Sequence, residues 1–370
     1  MKKIRNKRVI VAMSGGVDSS VAAALLKKGL ACPELGRREV VGVFMKFWAG
    51  ETKKNRCCTP ESEKRARLVA EKLGIPFYVF DFSKEFKKKV VDYFLKEYKA
   101  GRTPNPCVVC NKEIKFGLLL KKALALNADF IATGHYARVV DDSRQCIFRL
   151  YKGRDKNKDQ SYFLWQLDQK QLSRILFPVG DYTKPEVRAL AKKFKLPIAE
   201  TPESQEICFV QTTVNNFLKK YIKPRPGKIV DVQGKILGEH QGLWFYTIGQ
   251  RRGLKISGER VSRSLTGRPF YVLDKDIKRN LLIVTQNEKD LVKKELIAKG
   301  VSWILGRPPK LLLKIKAKIR NKHIAASATI KVYKKGRVKL IFSKSQRAVT
   351  LGQSVVFYKK SELLGGGIIL

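Results

Sequence analysis

The sequence predicts an α/β protein whose N-terminal half folds around a parallel β-sheet and whose C-terminal half consists mainly of short strands. Three observations support this fold class. The 370 residues exceed the usual size of one domain, so two or three domains with a substantial buried core are expected. Apolar runs alternate with helical stretches as far as about residue 210. Beyond that point helical periodicity fades, and Gly, Pro and aromatic residues interrupt short apolar runs.

The N-terminal elements alternate regularly along the chain. Apolar strands are predicted at Val9–Ala12, Val40–Phe47, Pro76–Phe82 and Asp129–Thr133. Helices are predicted at Val21–Leu26, Glu61–Leu73, Phe86–Tyr98 and Ile114–Leu126. Such alternation gives a parallel sheet covered on both faces, whose ligands bind at the carboxyl ends of the strands. Three segments lie at such ends and are expected to share a site: the turn after Ala12, Met45 and Gly134-His135.

The turn after the first strand reads Met13-Ser14-Gly15-Gly16-Val17-Asp18-Ser19-Ser20. A glycine turn that opens a helix directs backbone N–H groups and the positive end of the helix dipole into a concavity that binds phosphate. A simple capped turn is the alternative, but Ser-Gly-Gly-x-Asp-Ser is far denser than a lone glycine pair. No Gly-Lys-Ser/Thr follows, so this is not a Walker A loop. The turn resembles the pyrophosphate loop (PP-loop) of the ATP pyrophosphatases, which split ATP into AMP and pyrophosphate to adenylate a carbonyl oxygen.

Charge favours a polyanionic partner. Lys and Arg total 77 against 32 Asp and Glu, a net charge of +45, which suits nucleic acid or an anionic membrane face. From Val284 to Leu370 there are 20 basic and 4 acidic residues. Within that region, basic and apolar residues alternate over Lys314–Arg320, which predicts a strand with one basic face, although a merely solvated face is the alternative. Further strands are predicted at Lys228–Asp231, Phe270–Leu273, Ala348–Tyr358 and Gly365–Leu370.

The N-terminus and the cysteines predict a cytoplasmic protein with reactive thiols. The basic segment Met1–Arg8 leads into an apolar run too short for a secretory signal or a membrane span. Seven cysteines, an odd number, argue against a secreted disulfide framework and leave reactive thiols or a metal site. Cys107 and Cys110 form a Cys-x-x-Cys pattern before a predicted helix, whose N-terminus would lower the pKa of the Cys110 thiol. Cys208 lies in a loop-like stretch, where a small buried hydrophobe is the alternative.

A series of motifs extends the resemblance along nearly the whole chain. After the PP-loop come Thr-Pro-Asn-Pro-x-x-x-Cys-Asn, Thr-Gly-His-Tyr-Ala, Lys-Asp-Gln-Ser-Tyr-Phe-Leu (158–164), Ser-Gln-Glu-Ile-Cys-Phe (204–209), Thr-Ile-Gly-Gln-Arg-Arg-Gly-Leu (247–254) and Gly-Gln-Ser-Val-Val-Phe-Tyr (352–358). In this order they resemble the tRNA-specific 2-thiouridylase family, which makes 2-thiouridine at the anticodon wobble position. The Lys-Asp-Gln-Ser-Tyr-Phe-Leu motif is far more specific than the PP-loop.

The resemblance implies three domains and a reaction that consumes ATP. It predicts a catalytic ATP pyrophosphatase domain with the PP-loop fold of adenine nucleotide alpha-hydrolases (1–210), a small central domain (211–283) and a basic C-terminal β-barrel (284–370). ATP, with Mg²⁺, would adenylate the carbon 2 carbonyl of the wobble uridine. A cysteine persulfide would then supply sulfur. The implied partners are tRNAs, with the lysine, glutamate and glutamine acceptors expected, and a sulfur carrier or cysteine desulfurase, with no membrane partner.

Matching motif positions carries the family's site residues over to this chain. ATP contacts fall on Ala12, Met13, Ser14, Gly15, Gly16, Val17, Asp18, Ser19, Met45 and Gly134. Contacts with the target base fall on Asn105, Pro106 and Cys107. Contacts with tRNA fall on His135, Lys158, Asp159, Gln160, Arg320, Asn321 and Gln353. Cys110 matches the catalytic cysteine and Cys208 the cysteine that carries persulfide sulfur, so a mobile loop around Cys208 is expected to bring the two thiols together.

Two departures and three rival interpretations accompany this reading. Cys107 stands where some members have aspartate, so an acid–base role there does not transfer. Lys64 and Arg65 replace residues that are often acidic, and only a surface effect is expected.

The first rival interpretation is a [4Fe–4S] cluster held by Cys107, Cys110 and Cys208, with sulfide on its open iron. The others are a different PP-loop tRNA enzyme, such as a lysidine synthetase that needs no cysteine, and a non-catalytic RNA-binding module.

Overall fold

The N-terminal region folds around a five-stranded sheet whose recorded pairings are all parallel, which confirms the predicted class. The computed structural model describes residues 6–50, 58–201, 207–256, 268–308, 313–333 and 336–370. The sheet strands are β1 (Lys7–Ala12), β2 (Arg38–Lys46), β3 (Phe77–Asp81), β4 (Phe130–Ala132) and β7 (Ile175–Leu176), in the spatial order β3-β2-β1-β4-β7. Because the chain leaves β1 toward β2 and returns to β4 on its other side, the sheet has a switch point between β1 and β4.

Helices cover both faces of this sheet. They are α1 (Val17–Lys27), α2 (Pro60–Leu73), α3 (Ser83–Phe86), α4 (Asp92–Lys99), α5 (Pro106–Cys110), α6 (Leu119–Ala125), α7 (Gln169–Leu172) and α8 (Lys184–Lys193). A π-helical stretch, Lys87–Val91, joins α3 to α4, and another, Asn111–Leu118, joins α5 to α6. The helix predicted to start at Ile114 therefore starts at Pro106, because proline suits the first helical position.

Side-chain alternation along the strands builds two apolar layers. Val9 and Val11 face one cluster with the Ala- and Leu-rich helix α1, whereas Ile10 and Ala12 face the other. Helix α1 is buried almost all round, as its apolar sequence predicts. Its N-terminus is therefore fixed against the sheet rather than exposed on a mobile helix.

A four-stranded sheet follows in the central region. Its elements are helix α9 (Val214–Tyr221) and strands β8 (Gly227–Val230), β9 (Ile236–His240), β10 (Tyr271–Asp276) and β11 (Leu281–Thr285), in the order β10-β11-β8-β9. Buried Val272, Leu282 and Val284 belong to the same apolar cluster as Ile10 of the N-terminal sheet. The central region therefore shares a core with the N-terminal domain.

The C-terminal region is a six-stranded barrel. Its strands are β12 (Val292–Trp303), β13 (Leu313–Lys318), β14 (Ala326–Tyr333), β15 (Arg337–Arg347), β16 (Ser354–Lys359) and β17 (Glu362–Ile369), and β12 pairs with β17 to close it. In β13 the lysines Lys314 and Lys316 are exposed while Ile315 and Ala317 are buried, which confirms the predicted basic face. The strand predicted from Ala348 begins only at Ser354, because the segment before it turns back toward the N-terminal domain.

A hairpin from the N-terminal half extends the barrel sheet. Strands β5 (Ala137–Asp142) and β6 (Ile147–Lys152) pair with each other, and β6 pairs with β17 through Tyr151–Glu362 and Leu150–Leu363. The barrel is thus joined to the N-terminal domain by backbone hydrogen bonds as well as by packing. Within the described ranges, no helix combines the length and apolar character that crossing a bilayer requires.

Candidate active site

The switch point of the parallel sheet holds the predicted nucleotide site. Met13–Gly16 leave the carboxyl end of β1, and Thr133–Gly134 leave the neighbouring β4. Gly134 lies directly against the start of α1, since a Cβ atom on it would come within 2.6 Å of the Ser19 nitrogen. Met45, near the end of β2, is half-buried beside the same edge. The sheet therefore brings the three predicted ATP-contacting segments together.

The PP-loop is closed by its own hydroxyl groups. The Ser19 Oγ accepts a hydrogen bond from the Ser14 backbone N–H at 3.1 Å. The Ser19 and Ser20 hydroxyls both donate to the Gly16 carbonyl, at 3.1 and 2.9 Å. Gly15 adopts φ +74°, a left-handed conformation that favours glycine. These bonds shape a short turn at the N-terminus of the eleven-residue helix α1, where an anion is stabilised by the helix dipole.

Helix α2 supports the PP-loop from one side. A Cβ atom on Gly15 would lie 2.2 Å from the Ser62 carbonyl oxygen, so the two backbones are in contact. The Arg65 guanidinium donates to the Gly15 carbonyl at 3.1 Å and to the Ser62 hydroxyl at 3.0 Å. The surface role expected for Arg65 is therefore wrong, because its position on α2 points it at the loop. Lys64 is exposed, as expected.

A lysine from α8 reaches the loop from the other side. The Lys184 ammonium lies 2.6 Å from Asp18 Oδ1, and the Tyr136 hydroxyl donates to the same oxygen at 2.7 Å. The Lys184 side chain is 9% exposed and the Asp18 side chain 33%. Lys184 carries no sequence signal, since it is one of many lysines and follows a helix cap, whereas Tyr136 belongs to the Thr-Gly-His-Tyr-Ala motif but is not among the predicted ATP contacts. Together they fix Asp18 in the first turn of α1, at the positive end of the helix dipole.

The residues predicted to touch the target base start helix α5. Asn105 precedes the helix, buried Pro106 is its first residue and Cys107 is exposed in its first turn. Cys110 lies one turn further on and is buried, so Cys107 rather than Cys110 lies at the helix N-terminus. Immediately after Cys110 the helix widens into the π-helical stretch, a distortion that is frequent at functional sites.

Cys110 and Cys208 contact the same apolar cluster. Cys110 is a buried member of it, and Cys208 is half-buried against it. The next residue, Phe209, packs edge-on against Phe86, Phe94 and Phe217, with ring centroids 5.2–5.8 Å apart. Cys208 is thus anchored to the helical segment that leads into the Asn105 region. Ser204–Glu206 and Cys57 lie outside the described residues, and so does most of the predicted loop before Cys208.

The Lys-Asp-Gln-Ser-Tyr-Phe-Leu motif lies largely at a domain interface. Asp159 is buried, with Oδ1 accepting from the Gly153 and Ser161 backbone and Oδ2 lying 3.8 Å from the Lys318 ammonium of the barrel. Gln160 exchanges hydrogen bonds with the Tyr136 backbone. Among the predicted tRNA contacts in this motif, Lys158 is half-exposed while Asp159 and Gln160 are engaged within the protein.

The other predicted tRNA contacts lie in different surroundings. His135 is 8% exposed, its Nδ1 is 2.7 Å from the Thr133 hydroxyl, and its ring packs against Phe116 and Phe177. Burial, together with the charge of Lys115, holds the pKa of His135 well below its usual value, so the ring is neutral. Arg320 is exposed and donates to the Arg347 carbonyl at 3.3 Å, and Asn321 follows it in the turn after β13.

Gln353 and Tyr162 tie the barrel to the predicted base-binding residues. The Gln353 side-chain amide donates to the carbonyls of Thr103 at 2.9 Å and Pro104 at 3.3 Å. The buried Tyr162 hydroxyl donates to the Ser354 carbonyl at 2.9 Å. Burial is the dominant effect and raises the pKa of Tyr162. The hydrogen bond with Asn105 and the charge of Arg320 both lower it, by less. Asn105, Arg320 and Gln353 therefore gather at one junction.

The described residues do not fit a metal cluster. Within those ranges, no three His, Cys, Asp or Glu side chains approach closely enough to hold a metal ion. Cys107, Cys110 and Cys208 all belong to the described part of the chain, so the three thiols predicted by the iron–sulfur alternative do not form such a group. At the PP-loop, Asp18 is a single carboxylate, which suits Mg²⁺ that arrives on the phosphates of a nucleotide.

Comparisons with known proteins match the whole chain. The profile of the tRNA methyl transferase HUP domain matches residues 7–212, that of the tRNA methyl transferase PRC-barrel domain residues 215–286, and that of the aminomethyltransferase beta-barrel domain residues 293–369. The tRNA-specific 2-thiouridylase MnmA 2 of Thermoanaerobacter sp. (strain X514) is 48% identical over 373 residues, covering 98% of both chains. MnmA of Carboxydothermus hydrogenoformans is 45% identical over 381 residues, covering 100% of this chain and 99% of its own. MnmA of Clostridioides difficile is 44% identical over 370 residues, covering 98% of both.

Proposed function

Because the chain belongs to the tRNA-specific 2-thiouridylase family, we propose that it converts the wobble uridine of tRNA to 2-thiouridine, with ATP as the activating substrate. The observation that carries this proposal is identity of 44–48% to thiouridylases over essentially the full length of both chains. The presence of all three domain profiles in one chain supports it. The PP-loop and both thiols required for this chemistry are present in the sequence.

The first step is adenylation of the uridine. Its carbon 2 oxygen attacks the α-phosphate of ATP, and pyrophosphate leaves. We assign ATP binding to the residues predicted for it, which are Ala12–Ser19, Met45 and Gly134. The backbone N–H groups at the start of α1 stabilise the phosphate charge. Lys184 and Arg65 add positive charge beside the loop and are further candidates for contact with the phosphates.

The second step replaces oxygen by sulfur. The terminal sulfur of a persulfide on Cys208 attacks carbon 2, and AMP leaves with the former carbonyl oxygen. The Cys110 thiolate then attacks Cys208 Sγ, which releases 2-thiouridine and leaves a Cys110–Cys208 disulfide for a reductant to reopen. In a variant of this route, Cys110 first releases the terminal sulfur as sulfide. Both cysteines pack against the apolar cluster that the N-terminal and central regions share, which is compatible with this encounter.

The substrate contacts divide among the three regions of the chain. We assign Asn105, Pro106 and Cys107 to the target base, and His135, Lys158, Asp159, Gln160, Arg320, Asn321 and Gln353 to tRNA. Because His135, Asp159 and Gln160 are buried or engaged within the protein, they contribute through the shape of the site or through backbone atoms. The exposed lysines of β13 provide phosphate contacts, so binding weakens steeply with salt.

Cofactors and partners follow from the same chemistry. Mg²⁺ bound to ATP would neutralise phosphate charge, and Asp18 is the residue that would contact it. The expected acceptors are the lysine, glutamate and glutamine tRNAs. A sulfur carrier or cysteine desulfurase charges Cys208. A cytoplasmic location agrees with a tRNA substrate and with a disulfide that must be reduced in every cycle.

The test is to form the product in a defined mixture. Purified protein is incubated with unmodified tRNA, ATP, Mg²⁺ and a sulfur source, and the digested nucleosides are analysed by mass spectrometry. Wild type should yield 2-thiouridine, whereas Cys110→Ser and Cys208→Ser should yield none. Cys146→Ser is the matched control, because Cys146 is an exposed cysteine in the β5–β6 turn and does not belong to the apolar cluster that Cys110 and Cys208 contact.

Each outcome decides between interpretations. Pyrophosphate release without a thiolated base, when several sulfur donors have been supplied, would favour another adenylating tRNA enzyme. Full activity of either serine variant would exclude the persulfide relay. Iron content after anaerobic purification separates the relay from the iron–sulfur alternative, and iron-free active protein is the expected result.

A further inference from the structure

The segment Gly101–Pro104, here called the 101–104 segment, connects helix α4 to Asn105. Among the described residues, its hydrogen bonds to its own domain are made by Gly101 and Arg102. The Gly101 and Arg102 N–H groups donate to the Tyr98 and Glu97 carbonyls, at 2.8 and 3.0 Å. The Arg102 guanidinium binds the Glu97 carboxylate through two bonds, at 2.6 and 2.7 Å. Beyond Arg102 the recorded contacts of the segment come from the other two regions of the chain.

The barrel holds the middle of the segment. The Thr103 N–H donates to the Leu351 carbonyl at 2.9 Å, and Gln353 donates to the Thr103 and Pro104 carbonyls. Gly352 lies so close that a Cβ atom on it would be 3.1 Å from the backbone nitrogen of Thr103. A turn of the barrel therefore binds the 101–104 segment through one backbone hydrogen bond and two bonds from the Gln353 side chain.

The central region holds the start of the segment through Lys275. The Lys275 ammonium donates to the Gly101 carbonyl at 3.0 Å. Ile277 packs on Gly101, where a Cβ atom would lie 2.5 Å from Ile277 Cδ1, and the Thr103 and Thr247 hydroxyls are 3.4 Å apart. Burial lowers the pKa of Lys275 to about 8, against the opposing effect of Asp274. Removing a lysine from water for a single carbonyl contributes little net stability, so the value of the contact lies in fixing Gly101.

We propose that Lys275 is a positioning residue for thiolation: with Gln353, it fixes the 101–104 segment so that Asn105–Cys107 meet the uridine. This inference rests on the proposed function. Asn105 follows the segment directly, so a displacement at Gly101–Pro104 moves the base-binding residues. Displacements of about 1 Å cost up to about a hundredfold in rate when reacting groups must be aligned. Within the described part of the chain neither Lys275 nor Gln353 contacts the PP-loop, so we expect ATP binding to be unchanged when either is substituted.

The test compares Lys275→Met with Lys278→Met. Both variants lose one lysine from the same region, but Lys278 is exposed. Lys275→Met should lower kcat for thiolation about tenfold or more while leaving KM for ATP unchanged. In protein without tRNA, hydrogen exchange should accelerate at the Thr103 amide. Lys278→Met should change neither quantity, and Lys275→Arg, which keeps a donor, should recover part of the rate.

Two results would overturn the proposal. One is a Lys275→Met protein that matches Lys278→Met in both kcat and Thr103 exchange. The other is a lower melting temperature with wild-type kcat for the folded fraction, which would make Lys275 purely structural. If Lys275→Met does not fold, Gln353→Leu removes the barrel's bond to the same segment and is judged by the same exchange measurement. Should wild type make no 2-thiouridine, the proposed function fails, while hydrogen exchange still decides whether Lys275 holds the segment.

Discussion

The PP-loop and the 101–104 segment serve one reaction but are held in opposite ways. The PP-loop is closed by hydroxyl groups within residues 14–20 and braced by Ser62 and Arg65 of its own domain. The 101–104 segment depends on Lys275 and Gln353, which are 174 and 250 positions away from the residues they bind. The PP-loop is therefore closed by contacts within residues 14–20 and within its own domain, whereas the 101–104 segment, which leads to the proposed base-binding residues, is held by all three regions of the chain.

The largest expected effect is the loss of ATP-dependent pyrophosphate release when Gly15 of the PP-loop is substituted. In Gly15→Ala the new Cβ would overlap the Ser62 carbonyl at 2.2 Å, and φ +74° is unfavourable for alanine. We expect ATP-dependent pyrophosphate release to fall by about a hundredfold or more. Gly29→Ala is the matched control, since Gly29 has φ +72° with nothing within 4 Å of a Cβ. Wild-type ATP affinity in Gly15→Ala would refute the close packing on which the PP-loop depends.

The second prediction tests whether Lys184, which is distant from the PP-loop in sequence, contributes to nucleotide binding. Lys184→Met removes the charged hydrogen bond to Asp18, and such bonds contribute about 1.5–3 kcal/mol. We therefore expect kcat/KM for ATP to fall about ten- to a hundredfold. Lys192→Met serves as control, because that lysine lies on the same helix in an exposed pair with Glu200. Equal kinetics in the two variants would mean that Lys184 has no role in nucleotide binding.

A smaller effect is expected at the barrel side of the 101–104 segment. In Gly352→Ala a Cβ atom would lie 2.9 Å from the Arg102 Cβ, which pushes the barrel turn away from the segment. Because two domains can separate slightly, thiolation should fall only about three- to tenfold, with ATP binding unchanged. Gly300→Ala, at φ +58° in the same barrel with open space around it, should behave like wild type. A loss of ATP affinity in Gly352→Ala would break the proposed separation of the two sites.

The smallest expected effect is a change with pH in the free energy of unfolding, caused by His135. This residue follows Gly134 and packs against Phe116 in the π-helical stretch after Cys110. Its pKa is lowered in the folded state, so the unfolded chain binds the proton first as pH falls below about 6.5. The stability that neutral His135 contributes is present above that pH and is lost below it. Wild type should therefore lose about 1 kcal/mol more stability than His135→Leu between pH 6.5 and 5.5. Urea denaturation at the two pH values measures this, and identical slopes would contradict it.

The sequence supports a reliable prediction wherever the cause is local. Glycines and serines after an apolar run predict the PP-loop, and the alternation of Lys314 and Ile315 predicts a half-buried strand, because both patterns depend on neighbouring residues. Lys184, Lys275 and Arg65 carry no such pattern. Each is a lysine or arginine in a chain rich in both, and only the fold shows that its partner is Asp18, Gly101 or Gly15.

The same limit explains the predicted tRNA contacts that turned out to be engaged within the protein. A motif match transfers residues without their surroundings. Asp159 and Gln160 occupy matching positions, yet their oxygens accept hydrogen bonds from backbone groups of Gly153, Ser161 and Tyr136. The burial of Asp159 also depends on the barrel, whose Lys318 ammonium lies 3.8 Å from Oδ2. This burial cannot be inferred from spacing within the motif.

Strand β17 affects the order in which the two sites can form while the chain is being synthesised. Its residue Ile369 exchanges backbone hydrogen bonds with the Gly352-Gln353 turn that holds Thr103, and Glu362 and Leu363 pair with the β5–β6 hairpin. A ribosome makes β17 after every other element described here, and N-terminal domains begin to fold while synthesis continues. The nucleotide pocket can thus form on a nascent chain well before the base site can. A polypeptide that lacks Ile369 would therefore keep the hydrogen bonds that close the PP-loop but lose the backbone bonds that hold the Gly352-Gln353 turn.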